Sequence, residues 1–148
     1  MRVTLQRRAK TSTMIRTYSE LQRIQSFRER FNYLALRGTV GDSTFGFDRW
    51  MNQQFYRSAE WRHIRNHIIA RDLGCDLGAE GYEIHNRLYI HHMNPMTVED
   101  LRDGNDSVID PEFLITTTHL THNAIHYGDE RLLPKPLIQR RPGDTKLW

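Results

Sequence analysis

The sequence predicts an α+β fold, with N-terminal helices in the first half of the chain and short strands followed by one last helix in the second. Three observations carry this. Apolar residues recur at helical spacing between Ser19 and Gly38, and again from Ser58. Short aromatic and β-branched runs, bounded by Gly, Asn and Asp, mark residues 82–116. The helical period then returns between Thr118, which can cap a helix, and Gly128, which can stop one.

Taken in order, residues 1–16 lack periodicity, carry Arg7, Arg8, Lys10 and Arg16, and read as a flexible basic arm; residues 17–148 read as a single domain. Ser19-x-x-Gln22 forms a capping box, and Leu21, Ile24, Phe27, Phe31 and Leu34 place one amphipathic helix of roughly five turns ahead of Gly38. Three glycines and polar neighbours make residues 38–48 a loop. Ser58 can cap a second helix, in which Trp61, Ile64, Ile68 and Ile69 share a face while Arg62, His63 and Arg65 form a basic polar face. After turns at Gly74, Gly78 and Gly81, Tyr82-Glu83-Ile84 and Leu88-Tyr89-Ile90 read as strands around His85-Asn86-Arg87. Thr97-x-x-Asp100 starts a short helix that Gly104 ends, Asp110-Pro111 introduces a strand at Phe113–Thr116, and the final helix runs from Thr118 to Tyr127. Beyond Pro134 and Pro136 the chain reads as extended, and no internal repeat is visible.

At 148 residues the chain is long enough for one core and too short for two well-separated ones. No apolar run approaches the roughly 18–20 residues that span a bilayer, so no membrane partner is expected. The first residues have charge without a following apolar block, so no secretory signal is expected. With Cys75 as the single cysteine, this implies a reducing cytoplasm, and it excludes both an intramolecular disulfide framework and a paired-cysteine zinc knuckle. The net charge of +3 conceals a segregation: residues 1–71 carry 14 Arg/Lys against 5 Asp/Glu, and residues 72–148 carry 7 against 13. Of the 21 basic residues 18 are arginine, whose planar fork suits phosphate. A polyanionic partner and an ordinary solvated basic surface both remain open on this evidence.

Five of the eight histidines fall in two places, the doublet His91-His92 at a strand end and His119, His122 and His126 on the final helix. His122 and His126 stand four apart, so their imidazoles project from one helix face and can grip one metal ion. His91 can supply a third ligand. Successive strand residues point to opposite faces, so His91 and His92 divide their tasks.

The order strand, His-His, connecting segment, strand, helix with His-x-x-x-His resembles the motif of HNH endonucleases, the His-Me finger or ββα-metal nucleases, particularly the nuclease colicins and phage HNH enzymes. It is carried by Leu88-Tyr89-Ile90-His91-His92-Met93-Asn94-Pro95 and by Phe113 to Gly128, giving a motif core at 88–128. Phe55 to Arg62 and Ile69 to Asp76 resemble the helix and turn that precede the motif in phage enzymes. The resemblance implies that His92 is the general base, and that His91, His122 and His126 hold one divalent ion (Zn, Ni, Mn or Mg). It implies a DNA endonuclease leaving 5′-phosphate and 3′-hydroxyl ends. It also points to a phage or prophage setting, with either the DNA-packaging machinery as partner or a homing role. Arg62, Arg65, Arg140 and Arg141 are the expected DNA contacts. The family's middle Asn falls at Phe113, so bracing of the loop passes to Asn94 or Asn105. Thr118 and Thr121 stand where many relatives carry Cys-x-x-Cys, which leaves hydrophobic packing to hold the helix. His119 reads as a surface histidine or a DNA contact.

Two further readings stand beside this one. The same cluster can hold a structural ion in a DNA-binding protein without catalysis, which requires four protein ligands in a closed site. The helices can also dock a protein partner, with the histidines incidental.

Overall fold

The computed structural model describes residues 14–36, 53–80, 83–95, 98–135 and 141–143. The arm up to residue 13, the loop at 38–48, Tyr82, the cap expected at Thr97 and Arg140 lie outside the described residues.

The first amphipathic segment is two helices, α1 (Tyr18–Arg23) and α2 (Phe27–Leu34), where one long helix ending at Gly38 was expected. Thr17 caps α1 by accepting from the Glu20 amide, so the cap lies two residues ahead of Ser19. The chain breaks at Ile24, which takes an extended conformation, and Ser26 starts the next helix. In one straight helix Leu21 and Leu34 would stand about 20 Å apart. The break instead lets both join one buried cluster with Phe31, Met93, Ile115, Ala124 and Ile125. Arg16, at the end of the expected arm, is held in place: Asn94 accepts from its amide and donates to its carbonyl, and its guanidinium donates to the Tyr33 and Ala35 carbonyls.

Helix α3 (Ala59–Arg71) starts where the sequence places it, with Ser58 Oγ accepting from the Trp61 amide. It ends on two consecutive left-handed residues, Leu73 (φ 57°) and Gly74 (φ 65°). The sheet has two antiparallel strands, β1 (Tyr89–His92) and β2 (Leu114–Thr117), paired Tyr89 to Thr117 through His92 to Leu114. The expected strand at 82–84 is absent among its described residues. Glu83 makes only a single bridge to Cys75, and the Ile84 amide donates to the Gly74 carbonyl. Phe113 belongs to a 3₁₀ turn capped by Asp110, so β2 begins one residue later than expected. Between the strands lie α4 (Val98–Arg102) and a 3₁₀ turn at Asp106–Val108. Helix α5 (His119–Tyr127) follows β2 after Thr118, which caps it, and Gly128 closes it in the left-handed conformation.

The alternation of strand side chains makes the sheet the middle layer. Ile90 and Leu114 face α3 and pack with Trp61, Ile64 and Ile68. Ile115, paired with His91, faces the cluster that includes Ala124 and Ile125 of α5. The outer edge of β2 is covered by the chain that leaves α3. Asp72 accepts from the Thr116 amide, the Leu77 amide donates to the Thr116 carbonyl, and Arg71 donates to the Leu114 carbonyl. An exposed strand edge would otherwise offer a template for mispairing.

Candidate metal centre

His91 is fully buried on β1, and neither of its ring nitrogens has a hydrogen-bond partner. Buried polar atoms are normally paired because desolvating an unpaired one costs about 1–3 kcal/mol. The ring lies against two others: the centroids of His122 and His126 are 5.2 and 5.1 Å away, both edge-on. The one-turn spacing on α5 brings His122 and His126 to 4.4 Å between centroids, with 3.1 Å between their Nε2 atoms. Two nitrogens bound to one ion at about 2.0–2.1 Å would lie about 3 Å apart. Ligand atoms of all three residues lie within 4.8 Å of one another, and the group could hold a metal ion. The orphaned nitrogens of His91 and the all-imidazole donor set fit such an ion.

The electrostatics favour neutral rings. Burial holds His91 well below the usual histidine range, with His122, His126, His92 and Arg16 adding to the effect. Burial, then His126, brings His122 down to about 4, and burial also lowers His126. Neutral imidazoles present the lone pairs that a cation needs at pH 7. The Tyr89 ring covers His122 from outside at 5.5 Å, and Arg87 lies 5.8 Å from the Tyr89 centroid.

His92 occupies the other face of β1. Its ring stacks on Trp61 at 5.5 Å and 13°, and its Nε2 lies 2.9 Å from the Val108 carbonyl. A carbonyl oxygen only accepts, so Nε2 carries the proton and Nδ1 keeps the lone pair. Burial lowers the pKa of His92, and the Val108 bond opposes that. His92 is nonetheless close enough to the cluster to lower the pKa of His91 and His122.

The remaining sequence candidates are placed as follows. Arg62 is exposed and Arg65 half-buried on α3, the helix that carries Trp61 beneath His92. Arg141 is exposed, and Arg140 lies outside the described residues. Arg62 and Arg65 ride on α3, which packs on the face of the sheet opposite His91. His119 is exposed beside Tyr89, 5.1 Å between rings, with its Nε2 near the Asn123 amide. Asn105 folds the turn that presents the Val108 carbonyl, accepting from the Ser107 amide by its side chain and from the Val108 amide by its carbonyl. Asn94 is committed to Arg16.

Hydrophobic packing is not all that holds α5. The fully buried Asp76 accepts from the Thr118 amide (3.2 Å), Thr118 Oγ1 (2.9 Å), Thr121 Oγ1 (2.6 Å) and the Gly78 amide (3.0 Å). Sequence reasoning missed this acid, the Trp61 support and the Val108 carbonyl. An Asp next to turn glycines looks like ordinary turn chemistry, and only the pairing across 42–45 residues shows otherwise. Comparisons with protein-family models, curated proteins and solved structures find no match for this chain.

Proposed function

We propose that this protein is a metal-dependent DNA endonuclease of the HNH type, with β1, β2 and α5 as its ββα-metal unit. The observation that supports it most is the division of the His91-His92 doublet. His91 turns unpaired nitrogens toward His122 and His126, while His92 stays off that group with its tautomer set by Val108. A divalent ion held by His91, His122 and His126 would supply Lewis-acid stabilisation of the charge that develops on the phosphate and the departing 3′ oxygen. His92 Nδ1 takes the proton from the attacking water as the new P–O bond forms. The P–O3′ bond breaks and the departing 3′ oxygen takes a proton from solvent water, giving 5′-phosphate and 3′-hydroxyl ends. Trp61 and Val108 restrict the imidazole to one orientation, and arginines such as Arg62 and Arg65 hold the backbone by phosphate contacts.

One observation favours a second reading, a DNA-binding protein with a structural ion. His92 is stacked and hydrogen-bonded, so it has a packing role that needs no catalysis. Against that reading, the ligand group among the described residues has three members, where a closed tetrahedral structural site uses four.

The test is incubation of the full chain with supercoiled plasmid, using Zn²⁺, Ni²⁺, Co²⁺, Mn²⁺ and Mg²⁺ separately and EDTA as control. Metal-dependent conversion to nicked or linear DNA is expected. Plasmid that is bound but left intact with every metal would establish the second reading instead.

A further inference from the structure

The metal group joins two elements that covalent connection does not align. His91 sits on β1, and the other two histidines ride on α5. Each residue of helical slip would carry His122 and His126 about 1.5 Å along the axis and 100° around it, whereas a metal site tolerates about 0.2 Å. Ala124 and Ile125 seat one face of α5 on the apolar core, but apolar contact is weakly directional and does not set rotation or axial position that finely.

We infer that Asp76 is the positioning residue that sets α5 in register for metal binding. Its Oδ2 takes three bonds at the start of the helix, from the Thr118 amide and the hydroxyls of Thr118 and Thr121; Thr121 immediately precedes His122. Thr118 Oγ1 also accepts from the Thr121 amide and lies 3.0 Å from Thr121 Oγ1, so the first turn is braced on the same carboxylate. Asp76 is anchored in turn, because Oδ1 accepts from the Gly78 amide and the neighbouring Leu77 amide donates to the Thr116 carbonyl of β2. The carboxylate therefore links the sheet edge to the helix start. Its carboxylate also lies at the positive end of the helix. The approach is close: a Cβ on Gly78 would lie 2.6 Å from Thr121 Cγ2.

The inference rests on the histidine group holding an ion and is independent of whether DNA is cut. Its test reads metal binding on the full chain without DNA, by calorimetry with Ni²⁺ and by the visible absorption of bound Co²⁺. Asp76→Asn should weaken Ni²⁺ binding about 10–100-fold, the range for groups that orient metal ligands, and should alter the Co²⁺ spectrum. Thr121→Val should act in the same direction, while Thr121→Ser, which keeps the hydroxyl, should retain affinity and spectrum. Ile68→Val, a core change on the buried face of α3, should lower thermal stability without changing Ni²⁺ affinity. Parental Ni²⁺ affinity in Asp76→Asn, or equal affinities of the Thr121→Val and Thr121→Ser variants, would overturn the inference. So would a loss of affinity in Ile68→Val that matches its loss of stability. A parent chain that binds neither Ni²⁺ nor Co²⁺ would remove the metal centre itself.

Discussion

Replacing His92 by alanine tests the division of the histidines, and the structure gives the change two separable costs. The first is structural. The ring stacks on Trp61, and an aromatic pair contributes about 0.5–1.5 kcal/mol beyond area burial. Its Nε2 donates to the Val108 carbonyl, and leaving a buried acceptor unpaired costs about 1–3 kcal/mol. Together these give about 1.5–4.5 kcal/mol, or a fall in Tm of about 3–18 °C at about 2–4 °C per kcal/mol for a chain of this size. The second cost is chemical: loss of a general base lowers the rate about 10²–10⁴-fold. Neither cost touches the ligand set, so Ni²⁺ affinity should match the parent. His126→Ala should do the reverse at the metal, weakening Ni²⁺ by more than the about 10–100-fold expected when only an orienting group is lost. The assay is single-turnover plasmid cleavage at 25 °C and saturating metal, with folding followed by circular dichroism and affinity by calorimetry. A His92→Ala protein that is folded, keeps its metal and cuts at the parental rate would refute the base assignment. One that is folded but has lost its metal would refute the division of labour.

Arg62→Ala and Arg65→Ala should each reduce the slope of log affinity against log salt for duplex DNA by about 1 without changing Ni²⁺ affinity; an unchanged slope would place the DNA elsewhere. Leu73 holds φ at 57° and is 80% exposed. Leu73→Gly should therefore relieve about 1–2 kcal/mol of left-handed strain, offset by about 0.5–1 kcal/mol of chain entropy. The net gain of about 0–1.5 kcal/mol should raise Tm by up to about 6 °C, and a lower Tm in calorimetry would show that Leu73 makes a contact worth more than its strain. The metal-free protein should lose stability as pH falls from 6.5 toward about 4, because His122 titrates at about 4 when folded and near its ordinary 6.5 when unfolded. Over that window the unfolded chain binds more protons, so stability rises with pH and the effect is complete above 6.5. His91 and His126 shift in the same direction, and urea titrations in EDTA showing no slope across this window would contradict the burial of neutral rings.

The sequence by itself determined the mixed α+β composition, the start of α3 at Ser58 and the limits of α5, because cap residues, a terminating glycine and helical period are local signals. It also determined that His122 and His126 share a helix face and that neighbours in a strand part company. Tertiary structure decided the rest. The break at Ile24 exists because Leu21 and Leu34 must reach one core cluster. The pairing of β1 with β2 was expected from the order of the segments in 88–128, but only the structure shows that the 71–77 segment covers the outer edge of β2. The surroundings of the histidines were equally out of reach of the sequence. Trp61, Val108 and Asp76 act across 16 to 45 residues, and a hydrogen bond or a stacked ring has no period or spacing that a linear pattern could reveal. What brings them together is the packing of α3 and α5 on opposite faces of two short strands, which places His91 beside His122 and His126 and holds His92 apart from them.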